Sequence, residues 1–118
     1  MATFTAKMET RKTLRPIRVV TLSGRLDARG LPILQECLNS IRPEKDLRVL
    51  FDMNDLGFVG SAGIGLFLSF VEEVREAGGD ARFINIPESI LSILSLLNVL
   101  EFLTRSENAE EAIGELSV

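Results

Sequence analysis

The chain alternates between short apolar runs typical of β-strands and segments whose apolar residues recur at helical spacing. The strand-like runs span 17–23, 47–53 and 82–86. The helical segments span 31–41, 61 to the Gly78-Gly79 pair, 87–98 and 108–116. Strands that alternate with helices favour parallel pairing through right-handed helical crossovers. The sequence therefore predicts a mixed, largely parallel sheet with helices packed on it.

Shorter elements complete this prediction. Residues 3–9 alternate weakly and predict an edge strand, joined to the 17–23 strand by a basic hairpin loop. Gly24 is expected to end that strand, residues 54–60 to form a loop, and Phe102-Leu103 to add a last short strand. The predicted inward-facing residues are Leu34, Cys37, Leu38, Ile41, Ile64, Phe67, Val71, Val74, Ile90, Ile93, Leu94 and Leu97.

Composition excludes several kinds of site. The 118 residues are 46% apolar and predict a single domain over 1–118. The absence of histidine excludes a Ser-His-Asp triad and a histidine–metal site. The single cysteine, Cys37, excludes an internal disulfide and is expected to be a small core residue. The N-terminus lacks the apolar core of a signal peptide, and the longest apolar run, 64–71, is too short to cross a bilayer, so we expect a cytoplasmic protein without membrane insertion.

Charge is distributed unevenly along the chain. Residues 1–50 carry 10 basic and 5 acidic side chains, whereas residues 51–118 carry 3 basic and 12 acidic ones. Either each half simply solvates its own face, or the asymmetry marks a surface for a partner. The net charge of −4 argues against direct binding of free nucleic acid.

Glycines 57, 60, 63 and 65 lie where a strand–loop–helix phosphate site would stand. Neither GxGxxG nor GxxxxGK[ST] spacing occurs, because Leu68 and Leu66 occupy required positions. A nucleophile elbow is also excluded, since Val59 stands where its first glycine belongs. Asp27, Asp52 and Asp55 are predicted to lie together at one end of the sheet, either binding a cation or capping turns. No motif predicts an enzyme.

Ser61 follows the glycine loop and begins a helical segment. Its hydroxyl is expected to cap that helix by accepting an N–H from the first turn. A phosphate on the same hydroxyl would meet free N–H groups and the positive end of the helix dipole, so the folded chain would tolerate it. Local sequence favours the capping role.

Three segments together resemble one known family. VTLSGRLDA (20–28) resembles its strand followed by Gly-x-(Leu/Ile/Phe)-Asp. VLFDMNDLGFVGSAGIGL (49–66) resembles its strand ending in Asp, an apolar-aromatic pair and Asp-Ser-(Ser/Ala)-Gly-(Leu/Ile)-Gly. FINIPESILSILSLLNV (83–99) resembles its short strand, turn and following helix. The chain is thereby identified as similar to the STAS domains of bacterial anti-sigma factor antagonists.

That resemblance implies an α/β fold of STAS type, with a mixed four- to five-stranded sheet and helices mainly on one face. It implies regulated binding rather than catalysis, without cofactor or metal. The unphosphorylated antagonist would bind a serine kinase that is also the anti-sigma factor, releasing a sigma factor for transcription. The kinase would then phosphorylate the antagonist, a protein phosphatase would reverse this, and the antagonist itself would be a monomer or weak dimer.

By position in these motifs, the resemblance places the phosphorylated serine at Ser61. It implies that Asp27 lies beside that serine and that Asp52 ends the central strand. The residues it places in the partner-binding surface are Asp27, Phe58, Gly60, Ala62, Gly63 and Ile64. One departure is Gly60, where the family usually has Asp; glycine removes that charge and is expected to loosen the loop. An alternative is therefore a non-phosphorylated adaptor or scaffold, such as a cytoplasmic subunit of a transporter or signalling complex.

Overall fold

A single mixed sheet organises the chain, of which the computed structural model describes residues 3–118. The strands are β1 (Thr5–Arg11), β2 (Ile17–Leu26), β3 (Arg48–Val59) and β4 (Asp80–Ile84), in spatial order β1-β2-β3-β4. β1 pairs antiparallel with β2, and β2, β3 and β4 pair in parallel. The predicted opening hairpin and the parallel remainder are confirmed.

Four α-helices follow the predicted order: α1 (Leu31–Ile41), α2 (Ser61–Glu76), α3 (Glu88–Leu96) and α4 (Ala109–Leu116). The boundaries predicted for α1 are confirmed, with Pro32 in its first turn as expected. In the described residues 3–118, no helix combines the length and apolar character that a membrane crossing requires.

The helices cover the two faces of the sheet unequally. α1, α2 and α3 bury their apolar faces in one large cluster, in which Phe51 of β3 packs against Phe67 and Phe70 of α2. α4 alone covers the other face, where Ala112 and Leu116 meet a smaller cluster. The expectation that helices lie mainly on one face is confirmed.

Two strands are longer than predicted, because β3 contains bulges. Three steps along β3, from Asp52 to Asp55, oppose two steps along β2, from Thr21 to Ser23, and the register shifts again after Gly24. The extra residues disrupt the in–out alternation, so residues 54–59 were wrongly predicted as a loop. The prediction that β2 ends at Gly24 is also wrong.

Gly24 continues β2 in a conformation that suits glycine. Its φ is +92°, and an added Cβ would lie 2.2 Å from the carbonyl oxygen of Thr3. The strand therefore passes through this position only because it has no side chain. The close approach ties the N-terminal segment to the carboxyl end of β2.

The C-terminal third departs from prediction in two places. Ile93 and Leu97 were expected to face the core but are 37% and 52% exposed, because only Ile90 and Leu94 of this short helix point inward. A 3₁₀ helix (Leu100–Phe102) replaces the predicted last strand. The segment beyond it makes a single parallel bridge to β4, in which the Phe83 N–H donates to the Thr104 carbonyl oxygen at 2.9 Å.

Candidate functional site

Ser61 lies at the junction between β3 and α2, at the carboxyl end of the parallel strands. The first residue of α2 is Ser61 itself, and Gly60 occupies the N-cap position. The predicted capping role of the serine is wrong, since no side chain caps this helix. The Ser61 side chain is exposed, so its hydroxyl faces solvent without a structural duty at the helix terminus.

The backbone before Ser61 is held firmly. The Gly60 N–H donates to the Leu26 carbonyl oxygen at 3.0 Å, and the Gly60 carbonyl oxygen accepts from the Ile64 N–H at 3.1 Å. Gly60 has φ −84° and ψ 169°, an extended conformation open to any residue. An added Cβ would meet its nearest neighbours at 3.7 Å, an ordinary contact. This position would therefore accept a side chain, so its backbone does not require glycine. That Gly60 loosens the loop stays a prediction.

Asp27 lies at the same end of the sheet, directly after Leu26. Leu26 pairs in register with Val59, which brings the start of the β2–α1 loop next to the start of α2. The Asp27 carboxylate accepts from the backbone N–H groups of Arg29 and Gly30, at 3.0 and 3.3 Å. This turn fixes the loop and leaves Asp27 half-buried at the carboxyl end of β2.

The carboxylates of Asp52 and Asp55 do not lie together with that of Asp27. Asp52 lies inside β3 rather than at its end, and its carboxylate accepts from Asn54 N–H and the Asn85 side-chain amide, both at 3.1 Å. Asp55 accepts from the Asn54 amide at 3.0 Å. The extension of β3 by the bulges separates these groups along the strand. Across residues 3–118 no cluster of three or more acidic or cysteine side chains could hold a metal ion, so the predicted grouping of the three aspartates is wrong.

The residues placed in the partner-binding surface divide into exposed and buried members. Ala62 is exposed, while Phe58 and Gly60 are half-exposed. Gly63 and Ile64 are buried and shape the site from beneath. A Cβ at Gly63 would lie 2.9 Å from Leu26 Cδ2, so glycine lets α2 pack closely on β2.

Arg25 is a site residue that the sequence did not reveal. It pairs in register with Phe58, and its guanidinium lies over the Phe58 ring at 4.3 Å from the centroid. The stacked pair sits on the face of the sheet opposite α1–α3, adjoining Gly60, whose added Cβ would touch the Phe58 ring. Continuing the strand's alternation past Gly24 would have put Arg25 on this face.

The charges around Ser61 have no ionic partners. Within the described part of the chain, none of Arg25, Asp27, Arg29 and Asp55 forms an ion pair. Arg25, Asp27 and Arg29 line a small cavity of about 110 Å³. The site thus offers an accessible hydroxyl at a helix N-terminus, one half-exposed aromatic ring and charges of both signs that form no ion pairs in the described chain.

Comparison with known proteins decides the family. The STAS domain family model matches residues 7–112. The chain belongs to the STAS domain family. This STAS domain is 23% identical over 95 residues to the anti-sigma-B factor antagonist of Bacillus subtilis, covering 80% of this chain and 85% of the relative.

Solved structures confirm the STAS fold. An anti-sigma factor antagonist from Mycobacterium paratuberculosis superposes with a TM-score of 0.82 at 15% identity, covering 98% of this chain and 96% of the other. The phosphorylated form of SpoIIAA, described as a Bacillus cell fate determinant, superposes with a TM-score of 0.67 at 18% identity, covering 92% and 98%. These likenesses establish the fold of this STAS domain.

Proposed function

We propose that this STAS domain is an anti-sigma factor antagonist whose binding to a serine kinase, itself the anti-sigma factor, is controlled by phosphorylation of Ser61. The observation that carries the proposal is that the Ser61 hydroxyl is exposed at the N-terminus of the 16-residue helix α2 and does not cap that helix. A hydroxyl with no structural role is free to react. The name of the Bacillus subtilis relative and the phosphorylated SpoIIAA structure support it.

The chemistry would be supplied by the partners. In the kinase complex the Ser61 Oγ attacks the γ-phosphorus of ATP, ADP leaves, and the serine proton passes to a base on the kinase. In the reverse reaction a phosphatase directs water onto the phosphoserine and releases inorganic phosphate. This chain contributes the acceptor, its position and the docking surface.

The switch follows from electrostatics. A phosphate adds a charge of about −1.5 to −2 at neutral pH. The N-terminus of α2 accommodates that charge, so the fold survives. A partner seated on Ala62 and Phe58 would instead have to bury the new charge, which costs several kcal/mol when it is unpaired, on the order of the penalty for a lone buried ion. Phosphorylation would thus release the kinase, which could then bind its sigma factor and lower transcription.

Phosphorylation is tested by incubating the protein with ATP and each serine kinase/anti-sigma candidate of the source genome. Intact mass and phosphopeptide mapping should show one phosphate, at Ser61, from one kinase. The Ser61→Ala variant is the matched control and should gain no mass. A folded wild-type protein that no candidate phosphorylates would contradict the proposal and favour the adaptor function.

Partner release is tested with Ser61→Asp against Ser92→Asp. Ser92 is exposed on α3 and is not among the residues placed in the partner-binding surface, so both variants add one charge to an exposed helical serine. Ser61→Asp should abolish binding to the kinase that the unphosphorylated protein binds. Ser92→Asp should leave that binding unchanged. An adaptor would bind equally well in all three forms, because the Ser61 side chain caps nothing.

A further inference from the structure

An apolar groove runs between the second half of α2 and the 3₁₀ helix. It encloses about 470 Å³, and its floor includes Leu68, Val71, Val99 and Phe102. Phe102 remains 54% exposed, with part of its ring open to solvent. An occupant that places an apolar side chain in the groove would bury the exposed part of the Phe102 ring.

The rim of this groove is acidic. Glu72 and Glu76 stand one helical turn apart, and within residues 3–118 neither forms an ion pair. The lining cation, Arg75, is already committed: it donates to the Phe102 carbonyl oxygen at 3.2 Å and lies 3.6 Å from the Asp80 carboxylate. A complementary occupant would therefore present an apolar side chain flanked by positive charges.

The tip of the β1–β2 hairpin has that chemistry. Leu14 is 90% exposed and follows Arg11 and Lys12 in the chain. Arg11 and Lys12 form no ion pair with any described residue, whereas Arg15 anchors the tip through Asp46 at 2.5 Å. The tip thus presents an exposed leucine beside two cations that form no ion pair in the described chain. This combination complements the apolar floor and acidic rim of the groove.

The two features cannot meet within one molecule. The tip extends from the β1–β2 edge, while the groove lies beyond β4 at the outer side of α2. Two strand spacings, about 10 Å, separate β2 from β4 in the sheet alone. Both features lie toward the amino end of the parallel strands, where the Asp80 N–H donates to the Leu47 carbonyl oxygen at 2.9 Å. A two-fold axis across that end would let each of two copies place its tip in the other's groove.

We propose that this chain forms a reciprocal dimer in which Leu14 of each copy enters the groove beside Phe102 of the other, with Arg11 and Lys12 opposite Glu72 and Glu76. This contact employs the charge asymmetry between the two halves of the sequence. Ser61 lies about 30 Å from the tip along the ten-residue strand β2 and about 16 Å from Glu72 along α2, so it is outside the contact. The proposal is independent of the proposed function, so each fails on its own measurement.

Sedimentation velocity over a concentration series at low salt measures the association. Leu14→Asp and Phe102→Asp should each weaken the dimer at least tenfold, since each puts a charge into the apolar contact. Leu96→Asp is the matched control: Leu96 is 81% exposed but outside the groove, and its substitution should change nothing. An equimolar mixture of Leu14→Asp and Phe102→Asp retains one intact tip and one intact groove per pair. It should associate more strongly than either variant alone.

A cross-link locates the contact directly. Wild-type protein labelled with ¹⁵N is mixed with unlabelled protein and treated with a zero-length carbodiimide, which joins amines to carboxylates. Mixed-isotope peptides joining Lys12 to Glu72 or Glu76 are expected, and raising salt from 50 to 500 mM should reduce their yield about tenfold through screening.

Three outcomes would overturn the inference. A wild-type protein that stays monomeric to millimolar concentration at low salt has no such contact. A dimer that Leu14→Asp leaves intact uses another surface. Particles that grow beyond the dimer and vanish with Leu14→Asp would overturn the two-fold closure, since the same contact would then run head to tail.

Discussion

The two ends of the sheet differ in how their charged side chains are paired. All seven ion pairs of the described chain lie at or near the amino end of the parallel strands, as in Arg18–Glu44 at 2.8 Å and Arg82–Asp80 at 3.2 Å. The carboxyl end, where Ser61 lies, has none. Close packing at glycine occurs at both ends: at Gly24 and Gly63 near the carboxyl end, and at Gly79 near the amino end, where an added Cβ would lie 2.1 Å from the Leu47 carbonyl oxygen. The ends therefore differ in ion pairing and not in close packing.

Gly24→Ala should produce the largest loss of stability. The new Cβ would clash with the Thr3 carbonyl oxygen and require φ +92°, so we expect a loss of about 3 kcal/mol in the free energy of unfolding. Urea denaturation measures it. Gly65→Ala is the matched control: nothing lies within 4 Å of its Cβ on α2, so it should stabilise by about 0.5–1 kcal/mol. Equal effects would show that close packing does not hold the carboxyl end.

Asp46→Ala tests the ion-paired end and should have a smaller effect. Asp46 pairs with both Arg15 and Arg48, at 2.5 and 2.9 Å, but its side chain is 44% exposed. Solvent screening limits the loss to about 1 kcal/mol or less. The difference from wild type should shrink in 1 M NaCl, where the Debye length is about 3 Å. A loss that is independent of salt would mean that Asp46 acts through its left-handed backbone conformation, φ +54°, which Asp adopts more readily than Ala.

Gly60→Asp introduces the acid that the family resemblance places before the serine. It tests the effect of a negative charge next to Ser61. Its extended backbone and free space predict a change in unfolding free energy within about 0.5 kcal/mol, as for an ordinary surface substitution. We expect faster phosphorylation of Ser61 by the kinase that modifies the wild type. A large stability loss would contradict the geometry, and an unchanged rate would show that the neighbouring charge is dispensable.

The smallest effect is expected for the chemical modification of Cys37, which lies on α1 between the two ends of the sheet. Burial raises the pKa of its thiol above the ordinary value of 9.0 by disfavouring the thiolate. Iodoacetamide should therefore modify the native protein more slowly than the urea-unfolded chain at pH 8. The difference between these two modification rates should narrow as the pH rises through the raised pKa. The raised pKa favours the folded state below the unfolded thiol's pKa, and this contribution is lost at higher pH. Equal rates at pH 8 would contradict a shielded thiol.

The sequence predicted the elements governed by local patterns and missed those that depend on pairing. α1 and the start of α2 follow from helical periodicity and from proline and glycine signals. The bulged half of β3 could not be predicted, because its strand structure depends on the pairing of Asp55, Leu56 and Phe58 with β2, which local sequence does not show. The position of Ser61 followed from the family motif, but its freedom from capping required the backbone geometry. Arg25 was missed for the same reason as the bulges, since its place beside Phe58 depends on register.

The two margins of the sheet are protected in different ways against backbone pairing with another chain. At one margin, β1 presents exposed charges at Lys7, Glu9 and Arg11, which oppose the flat apolar pairing that drives aggregation. At the other, the strand β4 is shielded by the segment around Arg105, which takes up the hydrogen-bonding groups of Phe83. Both devices favour contacts made by side chains. Such a contact can be weakened by a single added charge or a single substitution without unfolding the sheet.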